Sequence, residues 1–457
     1  MTDAHFMDLD AVDRLRDRVS GVVLVRGDDG IADEVACFNV AVSHDPQLVV
    51  GVASEQDVVE AVRFAAEHEL PVAVHSTGHG AYRPIASGLV IATRRLNTLS
   101  VDPGTRLARI GAGLRWSAVI DAAAPYGLAP VTGSSPTVGA VGYALGGGIG
   151  PLNRSHGMTS DWIRGFRVVT GSGELVTANA DEHADLFWAL RGGKVGLGVV
   201  TEMTLELAEL PTLYGGGLFY DGSDDIRAAL NAWIRWLPSL PENATTSVAL
   251  LRLPDLPMLP PPLRGRTLLH VRFAYPGDET EGARLLQPMR DVLPPYLDTV
   301  EQIPATAMGN IHNDPHDPSP SWTHGVMLTD FDHDLAALLL DRLGPDVDSP
   351  FLAVEVRGIG GKLGVDHPSG TAAGGREAAF ILTLIAVGPV AFQPHIPQAV
   401  ADNVFRAASA WLAPVTNINF AGDPTLPETL AIAWRPDMAE RLATVRASYD
   451  PRGVLLR

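Results

Sequence analysis

Short apolar runs alternate with amphipathic segments through the first 180 residues of the chain. The run LVVGVA at 48–53 predicts a strand, and SEQDVVEAVRFAAEHEL after it begins with a serine cap and places apolar residues at helical spacing. PVAVHSTGHG is the next strand with its loop, so residues 45–80 predict a βαβ unit. GLVIATRRLN and LARIGAGLRWSAVIDAAAPYGLA continue the alternation, and IRGFRVVTGSGELVTA predicts a hairpin around GSG. Taken alone, this pattern favours an α/β arrangement.

The sequence pattern changes near residue 211. From there to about residue 410, proline clusters such as LPDLPMLPPPLRG and HNDPHDPSPS separate longer stretches that fit helices and strands. With 457 residues, the chain is too long for one ordinary hydrophobic core. The change of pattern therefore predicts a second domain over residues 211–410.

Composition limits the functions that these domains can have. Hydrophobic residues make up 46% and charged residues 19%, which is typical of a folded protein with a large core. The net charge of −19 argues against nucleic acid, because phosphates require a basic surface. No apolar run approaches the ~20 residues that span a bilayer, and MTDAHFMDLDAVDRLRD carries acids where a signal peptide carries bases. We expect a cytoplasmic protein without a membrane or nucleic-acid partner, and the pattern indicates no particular oligomeric state.

Metal binding finds little support in the sequence. The single cysteine, Cys37, cannot form an internal disulfide, and no spacing of cysteine and histidine fits a zinc site. The segment IHNDPHDPSPSWTHG at 311–325 places histidines and aspartates close together. Pro315 and Pro318 disfavour the helical turn that would put two imidazoles on one face. We expect no metal and interpret this segment as a rigid loop at the entrance to a ligand site.

A histidine between two glycines follows the strand PVAVH. In VHSTGHGA, glycines on both sides of His79 remove the neighbouring Cβ atoms, so another backbone or a flat ligand can come close to the imidazole. The alternative is an ordinary turn in which His79 faces solvent.

A second glycine-rich segment, TGSSPTVGAVGYALGGGIGPLNRSHGMTSDWI, covers residues 132–163. Clustered glycines of this kind expose backbone N–H groups that can hold a diphosphate without a lysine. The segment matches neither the P-loop nor the GxGxxG turn of a Rossmann fold, so nucleotide binding by either route is disfavoured. A glycine-rich hairpin packed on a sheet is the alternative interpretation.

Together these segments resemble a known family. VHSTGHGA, the glycine-rich segment, ADLFWALRGGKVGLGVVTEMTLEL, INF and RASYDPRGVLL are similar in order and spacing to the FAD-linked oxidoreductases of the berberine-bridge-enzyme-like group, in the vanillyl-alcohol-oxidase superfamily. The resemblance covers residues 40–210 and 411–455. It implies an α+β fold with a two-part PCMH-type FAD-binding domain, formed by residues 1–210 and 411–457. The inserted residues 211–410 would form a substrate domain, an antiparallel sheet covered by helices.

The resemblance also implies which residues hold the FAD. His79 occupies the place of a histidine that bonds covalently to the 8α carbon of the flavin, the alternative being a non-covalent neighbour of the ring. Ser135 stands where doubly tethered relatives carry a cysteine, so only one bond is possible. The residues expected to wrap the diphosphate and the ring edge are Ser76, Thr77, Gly78 and Gly80. Those expected along the pyrophosphate and ribityl chain are Ser135, Thr137, Gly139, Gly142 and Gly147, with Val200 at the adenine or ribityl region.

The catalytic base is where the sequence departs from this family. Many members use a tyrosine near the C-terminus, but the matching residue is Phe420, which has no acidic proton. Others use a glutamate after GGK, where Val365 stands, with Asp366 one position later. Asp366 is therefore the candidate base, although one step along a strand turns a side chain to the opposite face. Weaker alternatives are Glu355, Arg376 and Tyr143, the last of which replaces a common histidine.

The family's chemistry is the oxidation of a C–H bond next to oxygen or nitrogen. The resemblance implies an oxidase that passes hydride from a medium-sized metabolite to FAD, with dioxygen as acceptor and hydrogen peroxide as product. Val138 occupies the position of a gatekeeper, at which valine accompanies oxidase behaviour and a bulkier residue dehydrogenase behaviour. The alternatives are a dehydrogenase with another electron acceptor, and a flavin-binding cyclase or scaffold without net redox turnover.

Overall fold

The computed structural model describes residues 9–257 and 259–456. Residues 1–8, which open the acidic N-terminal stretch, lie outside the described residues, as do Met258 and Arg457. Within the described residues, no helix is both long enough and apolar enough to cross a membrane.

Among the described residues of the first half there are eleven short strands and seven α-helices. The strands are β1 (Val22–Val25), β2 (Leu48–Gly51), β3 (Val72–His75), β4 (Leu89–Ala92), β5 (Leu99–Asp102), β6 (Leu107–Gly111), β7 (Leu128–Ala129), β8 (Ile163–Val169), β9 (Leu175–Asn179), β10 (Val199–Glu206) and β11 (Ala208–Glu209). The helices are α1 (Leu9–Arg16), α2 (Ile31–Glu34), α3 (Glu55–Glu67), α4 (Trp116–Ala123), α5 (Ala140–Ala144), α6 (Asn153–His156) and α7 (Ala184–Leu190).

The second half contains longer elements. Its strands are β12 (Thr212–Asp221), β13 (Thr245–Arg252), β14 (Thr267–Tyr275), β15 (Leu297–Asp298), β16 (Glu301–Pro304), β17 (Ser321–Leu328), β18 (Ala353–Gly358) and β19 (Phe380–Val387). Its helices are α8 (Ser223–Trp236), α9 (Glu279–Arg290), α10 (His333–Leu343), α11 (His395–Ala407), α12 (Pro427–Ala433) and α13 (Pro436–Tyr449).

The first sheet has the strand order β1-β2-β4-β3. Helix α3 begins at the predicted serine cap, where the Ser54 side chain accepts a hydrogen bond from the backbone of Asp57. β2 and β3 run parallel, as the βαβ prediction requires, but each pairs with β4, which lies between them. Strand β3 leads directly into the turn that contains His79.

A second sheet, with the order β5-β6-β10-β8-β9, is antiparallel throughout. The hairpin predicted around GSG is confirmed, since β8 pairs with β9. Gly173 has a φ of +71° in this turn, a conformation that favours glycine. The parallel arrangement expected from the early pattern is thus confined to the first sheet.

The third sheet is an eight-stranded antiparallel one, with the order β15-β12-β14-β13-β18-β19-β17 and with β16 paired to β12. Side chains alternate between its two faces. Apolar residues such as Val248 pack with the helices α8 to α11 in one core. The opposite face carries buried charged residues, among them Arg272, Glu355 and Arg357. The predicted α+β fold, with an antiparallel sheet covered by helices, is confirmed.

The C-terminal segment returns to the first sheet. The Val72 N–H donates to the Val454 carbonyl, and the Leu456 N–H donates to the Val72 carbonyl, each at 2.8 Å. The largest apolar core combines Trp434 and Leu442 from this segment with residues of the first half. The C-terminal segment and the first half thus share one core, while the division of the chain at residues 210 and 410 stays a prediction.

Candidate active site

The turn after β3 packs against the segment that follows α2. Gly78 has a φ of +69°, and a Cβ there would lie 2.5 Å from the Cα of Cys37. The Phe38 N–H donates to the Thr77 carbonyl at 2.9 Å. One of the two glycines beside His79 therefore admits another backbone, whereas a Cβ on Gly80 would meet nothing within 4 Å.

The His79 imidazole lies between two threonine hydroxyls. Its Nδ1 is 2.9 Å from Thr77 Oγ1 and its Nε2 is 3.1 Å from Thr137 Oγ1. Phe38 stacks on the ring with 3.8 Å between centroids. Burial, and to a smaller extent the charge of Arg115, lowers the pKa of His79 to about 4. The imidazole is therefore neutral at pH 7.

The two glycine-containing segments meet at this imidazole. Ser135 Oγ lies 2.9 Å from Thr137 Oγ1, and the Gly139 N–H donates to Thr77 Oγ1 at 3.4 Å. A Cβ on Gly139 would lie 3.3 Å from Ser76 Oγ. The structure thus brings together residues that the sequence placed about 60 positions apart.

The glycines of the second segment divide into two groups. A Cβ on Gly150 would run into the Thr132 carbonyl, and one on Gly147 would lie 3.0 Å from Ala373. Gly142, by contrast, is exposed on α5, and a Cβ there would meet nothing within 4 Å. The open side of α5 and the exposed Gly80 leave room for a flat cofactor, so these residues fit an FAD.

Three other predicted residues have different surroundings. Val138 is half-buried against the main core, and its carbonyl accepts from the Trp116 N–H at 3.0 Å. Val200 is 4% exposed on β10, opposite Val168. The Tyr143 hydroxyl is buried, and burial raises the pKa of Tyr143 above its ordinary value.

The C-terminal segment brings Asn419 to the glycine-rich segment, where it meets Lys194 from the loop before β10; sequence reasoning gave neither side chain a role. Asn419 Nδ2 donates to the Tyr143 carbonyl at 3.0 Å, and Lys194 Nζ donates to Asn419 Oδ1 at 2.6 Å. Phe420 follows directly, with the guanidinium carbon of Arg357 5.9 Å from its ring centroid. Lys194 had one available signal, a lysine inside the glycine-rich loop RGGKVGLG.

Asp366 lies far out on the surface. Its side chain is 90% exposed and its carboxylate is 4.0 Å from Arg376 Nε. It lines a surface cavity together with His156 and Trp162. None of the residues around His79 lines this cavity. This position does not favour Asp366 as the base, because a solvated carboxylate lacks contact with a buried reaction centre. Arg376 pairs with Asp161 at 2.5 Å.

Glu355 occupies the buried face of the third sheet. Its Oε1 accepts from Arg272 at 2.7 Å and from Arg357 at 3.1 Å, and it lies 3.5 Å from His312 Nε2. Burial opposes ionisation, but the two arginines outweigh it and hold the pKa of Glu355 well below its ordinary value. A carboxylate clamped in this way is a weak proton acceptor.

The loop after residue 311 does not gather its histidines. His312 is buried, whereas His316 and Asp317 are exposed. Asp314 turns back to accept a hydrogen bond from Ser134 at 2.6 Å. This contact ties the loop to the glycine-rich segment, and its position at the entrance to a ligand site stays a prediction.

Cys37, His44 and His75 form a buried cluster that spacing did not indicate, with possible ligand atoms within 4.8 Å of one another. His44 Nδ1 accepts from the Ile85 N–H at 3.1 Å, so its Nε2 carries the ring proton. His75 Nε2 lies 3.1 Å from the Ala36 carbonyl. Because neither nitrogen of His44 offers a free lone pair, these contacts suit hydrogen bonding better than metal coordination.

Comparisons with known proteins support an FAD-binding domain in this chain. The pattern of one family, described as an FAD binding domain, matches residues 46–179. (R)-6-hydroxynicotine oxidase of Paenarthrobacter nicotinovorans is 34% identical over 235 residues, 51% of this chain and 48% of that protein. FAD-dependent monooxygenase prx3 of Penicillium roqueforti is 35% identical over 183 residues, 39% of this chain and 36% of that protein. The chain thus spans about half of the first relative and about a third of the second.

Solved structures share the fold over almost the whole chain. 6-hydroxy-D-nicotine oxidase from Arthrobacter nicotinovorans has a TM-score of 0.82 at 23% identity, covering 96% of this chain and 97% of that one. Xylooligosaccharide oxidase from Myceliophthora thermophila has a TM-score of 0.81 at 21% identity, with 97% of each chain covered. Physcomitrella patens BBE-like 1 has a TM-score of 0.80 at 16% identity, again with 97% of each covered. The chain therefore contains a segment that matches an FAD binding domain, and it shares its overall fold with these proteins.

Proposed function

We propose that the protein is an FAD-dependent oxidase that takes hydride from a C–H bond next to a hydroxyl or amine of a medium-sized metabolite. Dioxygen is the acceptor and hydrogen peroxide the product. The observation that carries the proposal is the neutral His79 imidazole, held between Thr77 and Thr137 where the two glycine-containing segments meet. Val138, three residues after Ser135, supports the choice of dioxygen because its small side chain leaves space beside the ring.

The flavin is bonded to His79 alone. A neutral imidazole nitrogen has the lone pair that a bond to the 8α carbon of the flavin requires. The Ser135 hydroxyl lies 2.9 Å from Thr137 Oγ1, and serine offers no thiol for a second bond. Once joined, the cofactor cannot dissociate, and the bond adds to the oxidising power of the ring.

The surroundings of the candidate bases favour an amine over a hydroxyl compound as the substrate. Phe420 takes no proton, Asp366 is solvated, and the arginines around Glu355 hold its pKa low. Hydride loss from a carbon next to a neutral amine leaves a cation that the nitrogen lone pair stabilises, so no proton has to be removed at the same time. Oxidation of an alcohol needs such a base. The second substrate class, hydroxyl compounds, would depend on Tyr143 or Glu355.

Anaerobic bleaching of the flavin tests this function. The purified protein, loaded with FAD, is mixed with a panel of secondary and tertiary amines, matched alcohols and sugars, and the flavin absorbance is followed. We expect an amine to bleach the flavin and air to restore it with one peroxide per turnover. Reduction of a dye without dioxygen uptake would establish the dehydrogenase instead. Failure of every compound to bleach a bound flavin would contradict both.

A further inference from the structure

Lys194 has an unusual backbone for a lysine. It lies in the loop RGGKVGLG between α7 and β10, with a φ of +57°. Gly192, Gly196 and Gly198 in the same loop also have positive φ values, and there glycine removes the strain. A side chain at a left-handed position is strained, and such strain persists where the side chain has a task.

The Lys194 amine has a neutral partner. Nζ donates to Asn419 Oδ1 at 2.6 Å. Among residues 9–257 and 259–456, no carboxylate lies within ion-pair distance of this amine, and burial lowers its pKa to about 8. A buried ammonium without an anionic partner is costly. This cost falls if a bound ligand supplies the negative charge.

The amine lies where the cofactor segments meet. The Lys194 N–H donates to the Leu145 carbonyl at 3.1 Å, and a Cβ on Gly146 would overlap Asn419 Oδ1. Asn419 in turn holds the Tyr143 carbonyl and precedes Phe420, the residue in the family's catalytic position. The residue as a whole is half-buried.

We infer that the ammonium of Lys194 faces the flavin ring and stabilises the negative charge that the ring gains when it accepts hydride. The inference rests on the proposed function. Hydride carries two electrons and one proton, so a neutral oxidised ring becomes singly anionic, while the ammonium keeps its protons. A cation in this place makes reduction of the ring more favourable and also favours other anionic states of the ring.

Sulfite binding and the reduction potential test this role apart from turnover. Sulfite adds to an oxidised flavin and leaves it anionic, so its dissociation constant reports the local charge. We expect Lys194→Met in the flavin-loaded protein to weaken sulfite binding tenfold or more. The reduction potential of the flavin should fall by about 30 mV for each tenfold decrease in the equilibrium constant of its two-electron reduction. Lys194→Arg keeps the charge and should remain within a few fold of the wild type. The matched control is Lys362→Met, because Lys362 is the other lysine of the chain and is exposed.

A purely structural role would give a different result. If Lys194→Met lowers the melting temperature but leaves sulfite affinity and potential at wild-type values, Lys194 merely anchors Asn419 and the inference is wrong. If that variant does not fold, Lys194→Gln distinguishes the two roles, because glutamine keeps a hydrogen-bond donor but lacks the positive charge. A wild-type protein that takes up no flavin overturns the proposed function together with this inference. A protein that turns over but whose neutral variants keep the wild-type potential overturns the inference alone.

Discussion

At the scale of single residues, the site depends on groups whose charge is set by burial. His79 is neutral because the protein around it disfavours the imidazolium, and two hydroxyls fix its ring. The exposed Asp366 has no comparable environment. We therefore expect residues with perturbed surroundings to be the better candidates for the proposed reaction centre.

Replacement of His79 tests the covalent bond. We expect the wild-type protein to stay yellow after acid precipitation and His79→Ala to release all of its flavin into the supernatant. Ser135→Ala is the control and should retain the flavin, since the proposal places the covalent bond on His79 alone. Flavin that stays with acid-precipitated His79→Ala would show that another residue holds it.

Val138 tests the access of dioxygen. Val138→Leu adds one methylene beside the ring, and we expect it to slow reoxidation of the reduced protein by on the order of tenfold or more, because a stiff valine leaves a gap that leucine fills. Val138→Ala should reoxidise at the wild-type rate. Stopped-flow mixing with dioxygen measures both. Equal rates in wild type and Val138→Leu would remove Val138 from the mechanism.

Loss of charge at Asp366 should have little effect, whereas loss of charge at Glu355 should destabilise the fold. Asp366→Asn should leave the anaerobic reduction rate of the flavin within a few fold of wild type, since the Asp366 side chain is 90% exposed. Glu355→Gln leaves Arg272 and Arg357 buried without their carboxylate, and we expect it to destabilise the fold by about 3–5 kcal/mol. Rapid-scanning absorbance measures the reduction rate of Asp366→Asn, and denaturant unfolding measures the stability of Glu355→Gln. A hundredfold loss of rate in Asp366→Asn would restore it as the base.

At the scale of elements, the glycine-rich segment has two separate tasks. Gly150 lies against the Thr132 carbonyl and allows the backbone to fold on itself. Gly142 lies on the open side of α5, where no protein atom needs the space. One glycine serves packing and the other leaves room for a ligand.

Alanine at these two glycines should separate the tasks. Gly142→Ala should leave the flavin-free protein as stable as wild type or stabilise it by up to about 1 kcal/mol, because alanine is the better helix residue. The same variant should bind FAD less tightly. Gly150→Ala should lower the stability of the flavin-free protein, since its Cβ overlaps a carbonyl. Thermal unfolding and FAD titration measure these effects; unchanged FAD affinity in Gly142→Ala would move the cofactor away from α5.

Local sequence patterns predicted the helices and strands well. They could not predict which residues far apart in sequence come into contact. The Ser54 cap and the GSG hairpin depend on neighbours in sequence, so both could be predicted. β4 lies between β2 and β3 because pairing depends on the whole sheet. Lys194 and Asn419 are 225 positions apart, and no periodicity relates them. The exposure of Asp366 likewise depends on how a loop turns after β18.

At the scale of the whole molecule, several histidines are held neutral. Burial is the first cause that lowers the pKa values of His44, His79 and His312 to about 4. The unfolded chain takes up protons at these side chains below about 6.5. Between about pH 6.5 and 4 the unfolded state therefore binds more protons than the folded state.

Stability should consequently fall on mild acidification. These histidines contribute stability that is complete above about pH 6.5 and is lost as the pH falls toward 4. We expect the melting temperature to decrease steadily between pH 7 and pH 5, and His312→Gln to reduce the slope. Calorimetry at constant ionic strength measures the melting temperature at each pH. A melting temperature that stays constant over this range would show that the histidines are protonated in the folded protein.

The pairing of residues 454–456 with β3 has a consequence for the order of events during biosynthesis. The strand that leads into the His79 turn gains its edge partner only after the ribosome has released those residues from its exit tunnel. Until then β3 has a free edge, and the turn beyond it has one side without support. We therefore expect capture of the flavin to follow the synthesis of residues 454–456.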